Sequence, residues 1–290
     1  MTTALAGIGD GAFWAALLVK MLTSAVIVVL ASLAVERAGA LVGAMIATLP
    51  LSAGPAYLFL ALDHDAAFLR DSAVASLPAI AATALFIAAY AALARRHGVA
   101  PSLAAALGTW TAAALALRAL GGGPLGAGAA TVLVIVACMA LCRRVRAGPP
   151  VPKRPGRRND VLVRAGIVMT LAAAVVLAGR LAGPGAAGLL ALAPVVMVSL
   201  AVILHPRLGG AATARMLVLS LPGMLGFVAA LATLALTVER LGPALALPLA
   251  LLITILWNGG ILLAARTRPA PIRETDRCAR SATTSNAASP

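Results

Sequence analysis

Lys20 is the one ionisable residue set well inside an apolar run, seven residues past Phe13, which is roughly 10 Å along a helix. A charge at that depth of a membrane helix is a functional candidate by default. It could attract an anionic group or, with its pKa lowered by burial, exchange a proton during transport. The structural alternative is snorkelling, in which the long stem carries the ammonium to the outer headgroups. A second candidate region is the run from Ala47 to Tyr57, which holds Pro50, Gly54 and Pro55 among Thr48, Ser52 and Tyr57. Each proline removes a backbone donor and frees a carbonyl one turn earlier. In lipid such groups are tolerated only against protein or water, so the hydroxyls of Thr48, Ser52 and Tyr57 could serve a solute or satisfy the freed backbone locally.

Other reactive chemistry is sparse. His64, His97 and His205 fall at loop positions on both sides of the expected membrane, too far apart to share a metal. No paired-carboxylate cluster, Gly-rich phosphate loop or His-Glu metalloprotease motif occurs, and no Asp or Glu lies deep in a span where it could couple protons. The sequence therefore predicts no enzyme, no cofactor and no metal. Cys138 and Cys142 share a helix face and read as packing residues, Trp110 and Trp257 as interface anchors, and Asn258 as interhelical glue.

The elements that must position these groups follow from composition. Of 290 residues, 62% are hydrophobic and 11% charged, against roughly 25% charged in a soluble domain, which excludes a soluble globule. Aromatics are only 3% and Gly numbers 27, a mixture suited to close helix packing in lipid. The net charge of +14 is spread between and after apolar runs rather than over a folded basic face, so nucleic acid is not an expected partner. A hydrocarbon core needs roughly 20 apolar residues per helix. Nine runs qualify, near 13–35, 38–62, 68–93, 100–120, 124–142, 161–180, 185–204, 212–237 and 243–265. With the basic, Pro-rich linker 143–160 placed in the cytoplasm, alternation puts 18 of the 23 Lys and Arg on that side, as the positive-inside rule requires. The N-terminus is then outside and the C-terminus inside. The linker is expected to face anionic lipid headgroups, and the tail 266–290 to be disordered. The first run has no basic residue ahead of Lys20 and reads as a retained helix rather than a cleaved signal.

Sliding the chain against itself by 144 residues aligns Gly39 with Gly183, Pro50 with Pro194, Ser76-Leu77-Pro78 with Ser220-Leu221-Pro222, Arg96 with Arg240 and Gly98 with Gly242. No gap is needed. The shift maps the first four spans onto the last four, and because five spans separate the copies, they lie upside down relative to each other. Expected organisation is thus a first repeat with an extra fifth helix (1–142), the linker (143–160), a second repeat (161–265) and the tail. Inverted repeats with broken helices at matching positions are a common construction of secondary transporters. The expected substrate-binding set is Lys20, Thr48, Pro50, Ser52, Gly54, Pro55 and Tyr57, with Pro194 and Ser199 from the seventh span.

The segments Lys20-Met21-Leu22-Thr23-Ser24-Ala25, Glu36 through Ala44, and Ala47-Thr48-Leu49-Pro50-Leu51 resemble GlpM-like small bacterial inner-membrane proteins, which are single four-span units. The resemblance implies two such units joined through an extra helix. It covers about a third of the chain and its motifs are of the packing type, so it carries architecture and no chemistry. The 5+4 layout is also similar to the drug/metabolite transporter superfamily, an analogy of fold. Together these readings predict an all-α inner-membrane protein of a bacterium, a permease for a small solute, with an anionic one suggested by Lys20. The alternative is a non-transporting scaffold or accessory protein for envelope assembly. Lipid, a small-molecule substrate and a second copy in a homodimer are the candidate partners. Transport predicts a polar cavity lined by Lys20, Ser52 and Tyr57; a scaffold predicts those groups sealed.

Overall fold

The computed structural model describes residues 11–38, 53–119, 123–148 and 181–266, with isolated positions between 162 and 177. Every regular element among them is a helix: α1 Gly11–Ala38, α2 Ala53–Asp63, α3 Ala66–Leu93, α4 Val99–Ala119, α5 Pro124–Leu141, α6 Arg143–Arg146, α7 Pro184–Ala191, α8 Val195–Leu208, α9 Gly210–Leu241 and α10 Pro243–Arg266. Six stretches are long and apolar enough to cross a bilayer: α3, α4, α5, α7 with α8, α9 and α10. The chain is a multi-pass membrane protein. These six are the third, fourth, fifth, seventh, eighth and ninth runs expected from the sequence. The first run lies within α1, the second is described only in its last part as α2, and the sixth only at isolated positions. Residues 39–52, most of the linker and the tail beyond Arg266 lie outside the described residues.

Local chemistry sets the helix ends. Asp65 caps α3 by accepting the Phe68 amide at 2.9 Å, which satisfies one of the orphan donors of the first turn. Proline opens α5 and α7, where its missing N–H costs nothing. Gly209 and Gly242 bracket α9 with φ of 82° and 73°, a region that glycine alone adopts without strain.

The two innermost helices are α3 and α9, with 67% and 72% of their apolar windows buried against 22% for α4, α5 and α10. Helices α4, α5 and α7 pack on α3; α5, α8 and α10 pack on α9. The outer helices leave Leu115, Leu133 and Leu256 exposed, as lipid-facing positions should be. The core pair runs antiparallel. Arg70 at the start of α3 reaches Glu239 at the end of α9 at 3.1 Å, while at the other end the Tyr90 hydroxyl meets His205 Nδ1, near the end of the adjoining α8, at 2.7 Å. There the helices approach so closely that a Cβ on Gly210 would collide with the Ala94 carbonyl.

The helix ends therefore sort into two faces. One carries Asp63, Asp65, Arg70, Asp71, Arg118, Glu239 and Arg240. The other carries Arg95, Arg96, Arg143, Arg144, Arg146, Arg207 and Arg215, joined where Arg215 Nε donates to the Arg146 carbonyl at 3.1 Å. All four acidic side chains described lie on the first face.

Candidate functional site

The seventh span is broken. Helix α7 ends at Ala191, the chain turns through Leu192 and Ala193, and Pro194 caps α8, which begins at Val195. Ser199, one turn on, is buried and donates to the Val196 carbonyl at 2.8 Å, so its hydroxyl serves its own helix. The corresponding break expected at Pro50, with Thr48 and Ser52, lies outside the described residues.

Lys20 lines neither of the two cavities described below. Its ammonium is clamped by both carboxylate oxygens of Asp63, at 2.6 and 2.7 Å, and lies 5.7 Å from the centroid of the Phe59 ring. The two side chains are 15% and 20% exposed, so the pair is partly shielded, and it joins α1 to the end of α2. Asp63, which reads as a loop residue, is the last residue of α2.

Tyr57 is also tied. Its hydroxyl lies 2.7 Å from Ser76 Oγ, and Ser76 Oγ donates to the Gly188 carbonyl at 2.7 Å. Since a serine hydroxyl has one proton, Tyr57 must be the donor to Ser76, giving a buried relay from α2 through α3 to α7. Ser72, one turn earlier, donates to the Pro184 carbonyl at 3.3 Å. Gly188 permits this contact, because a Cβ there would strike the Ser72 backbone.

Two cavities among the described residues bear on these positions. The first, of about 540 Å³, is an apolar groove against α2, α9 and α10. Gly54, Pro55 and the ring of Tyr57 line it, so the structure brings these three expected site residues together. Lys20, Pro194 and Ser199 are not part of that wall.

The second cavity, of about 660 Å³, lies between α3, α4, α5 and α9. Its mouth is ringed by Arg70, Asp71, Arg118, Glu239 and Arg240, and its deeper wall by Val74, Ala75, Pro78, Ala127 and Leu236. Pro78 lies about 18 Å along α3 at 1.5 Å per residue, near the middle of a bilayer. Arg70 is shared between Asp71 at 2.9 Å and Glu239 at 3.1 Å, whereas Arg118 rests against Gly185 at the start of α7. None of the residues around this cavity belongs to the expected binding set. The signal that could have found it is the proline within α3, whose 144-residue counterpart Pro222 lies within α9.

Trp110 and Trp257 each tie one helix to another. Trp110 is buried and donates its Nε1–H to Thr83 Oγ1 at 3.1 Å, locking α4 to α3. Trp257 donates to the Pro222 carbonyl at 2.9 Å, locking α10 to α9, and Gly226 leaves the room its ring needs. Asn258 donates to Thr254 of its own helix at 3.0 Å. Cys138 and Cys142 are buried free thiols.

Comparison with known proteins finds no matching family model, no matching curated protein and no matching solved structure.

Proposed function

We propose that this chain is a secondary transporter of a small solute in a bacterial inner membrane, working by alternating access between two inverted repeats and carrying out no catalytic step. The observation that carries the reading is the wedge between α3 and α9. These helices are counterparts under the 144-residue shift and run antiparallel, which is what inversion of the copies requires. On the mixed-charge face they enclose a cavity that descends to Pro78. On the arginine-rich face they are closed by the Gly210–Ala94 contact, beside which the Tyr90–His205 bond ties α3 to α8. A cavity open to one side and shut to the other is one half of an alternating cycle. The arginine-rich face is assigned to the cytoplasm by the positive-inside rule. The resemblance to GlpM-like units, and a headgroup-facing role for the linker 143–160, belong to the same proposal.

The scaffold reading is favoured by one observation: Lys20 and Tyr57 are sealed into an ion pair and a hydrogen bond. Matched cysteines separate the two. Val74 lines the cavity, and its counterpart Val218 is 1% exposed. In a background with Cys138, Cys142 and Cys278 replaced by Ser, a transporter will label at Val74→Cys from outside and, in its other state, at Val218→Cys from inside. A scaffold will label only at the first. Impermeant reporters at Ala67 and Ala147 must report outside and inside respectively; the reverse would overturn the orientation.

A further inference from the structure

We infer that the 660 Å³ cavity is an anion site, taking a carboxylate or phosphate group at its mouth and an apolar body on its floor. The inference rests on the transport reading for its purpose but on separate chemistry for its ligand. Three guanidiniums and two carboxylates surround the mouth. Arg70 is committed to both carboxylates. Among the described residues Arg118 and Arg240 have neither carboxylate nor hydrogen-bond partner, which leaves two forked donors of the kind that bind carboxylate and phosphate in pairs. Arg118 is held in place by its contact with Gly185, where a Cβ would come within 2.5 Å of Nη2.

The neighbouring helix end agrees in sign. Helix α5 begins at Gly123 and Pro124 on the cavity wall, with no side-chain cap and no acidic residue in its first turn. Pro124 has no amide hydrogen and the Ala127 amide bonds back to Gly123, so what this helix end contributes is chiefly its dipole, which favours negative charge there. One turn deeper on each helix the wall becomes apolar, at Val74, Ala127 and Leu236. A volume of this size is that of a small-molecule pocket. The ligand chemistry is thus an organic anion with its charge toward the aqueous face, supplied either by a free solute or by the phosphate of an anionic lipid.

Phenyl phosphate is the probe, compared with inorganic phosphate and with phenol, by thermal stability and calorimetry on the full chain in phosphatidylcholine nanodiscs. Phenyl phosphate should bind most tightly, and Arg118→Gln with Arg240→Gln should weaken it tenfold or more. Phenol binding as tightly as phenyl phosphate, or an arginine pair variant that binds like wild type, overturns the site. Should that variant not fold, Ala75→Leu narrows the floor without touching charge and must weaken phenyl phosphate more than inorganic phosphate; equal effects also overturn it. Competition by added phosphatidylglycerol that disappears in the arginine variant assigns the anion to lipid, and its absence assigns it to a free solute. Phosphate counterflow in proteoliposomes separates the two proposals. Binding without flux leaves the site and removes the transporter, whereas flux that survives loss of both arginines does the opposite.

Discussion

Replacing Gly188 by alanine tests the contact on which the core pair's alignment with α7 depends. A Cβ at this position would fall on the Ser72 carbonyl, with the Ser72 Cα only 3.0 Å away. Ordinary contact between carbon atoms lies near 3.5 to 4.0 Å, so α7 must withdraw from α3 by roughly 1 Å. That withdrawal stretches the Ser76–Gly188 hydrogen bond from 2.7 Å to about 3.7 Å, beyond any useful bond. Overpacking of this kind costs about 1–3 kcal/mol, and a hydrogen bond within a membrane bundle adds about 0.6 kcal/mol. Alanine's better helix propensity returns up to about 1 kcal/mol. The net expectation is a loss of about 1–3 kcal/mol, read from SDS titration in bicelles by tryptophan fluorescence. Gly108→Ala on α4, where a Cβ meets nothing within 4 Å, is the matched control and should be neutral or slightly stabilising. If both variants unfold at the same SDS fraction, the close α3–α7 approach is not a stability determinant and the reasoning fails.

Lys20→Met and Asp63→Asn should each destabilise by about 1–3 kcal/mol by stranding a shielded charge, and the double variant by less than their sum; strict additivity in the cycle would mean that the pair contributes nothing. Tyr57→Phe removes one buried bond worth about 0.6 kcal/mol and should leave phenyl phosphate binding unchanged, whereas a loss of binding larger than the loss of stability would return Tyr57 to the solute path. Gly242→Ala meets open space but forces φ near 73° on a residue with a side chain, costing about 1–3 kcal/mol; its counterpart Gly98→Ala, equally open and without positive φ, should be neutral in the same unfolding assay. Gly226→Ala would press a methyl to 2.5 Å from the Trp257 ring, so the indole should leave the Pro222 carbonyl and its emission should shift to the red. Unchanged emission would show that the ring is not held there.

Six spans were legible because each is an uninterrupted apolar run closed by charge, Gly or Pro. Their ends agree to within about four residues, and the largest differences are extensions. Helix α9 continues through Glu239 and Arg240 to Leu241, and α8 through His205 and Arg207 to Leu208, because helical hydrogen bonding does not stop where the hydrocarbon does. The break at Pro194 was legible for the same local reason, a residue without an amide hydrogen. Which helices lie at the centre was not, since the inner α3 and α9 and the outer α5 and α10 have similar apolar content and differ in what packs around them. The Lys20–Asp63 pair was hidden by a separation of 43 residues and by the placement of Asp63 in a loop. Trp110 offered a polar handle, but that its partner would be Thr83 on the preceding helix depends on the crossing of α3 and α4. The arginine-lined cavity was missed because its parts come from four helices, and each arginine alone looks like an ordinary end-of-span charge.

Antiparallel packing of α3 and α9 turns the 144-residue shift into a statement about the opposite conformation. The shift carries Val74, Pro78, Ala235 and Arg240 to Val218, Pro222, Ala91 and Arg96. Of these, Arg96 lies on the arginine-rich face, and Val218 and Ala91 are buried in the half of the core pair that the Gly210–Ala94 contact closes. The carboxylates do not survive the mapping: Asp71 corresponds to Arg215 and Glu239 to Arg95. A cavity opened on that face would be ringed by arginine with no acid to offset it, whereas the present mouth holds two acids against three arginines. Oppositely charged groups at a low-dielectric wall attract more strongly than the same groups in water. An anion should therefore be held more tightly from the arginine-rich side, with a lower half-saturation for flux measured in that direction and a steeper loss on adding salt. A neutral solute would show neither asymmetry, so the ratio of the two half-saturation values at low and high ionic strength distinguishes an anion path from a neutral one.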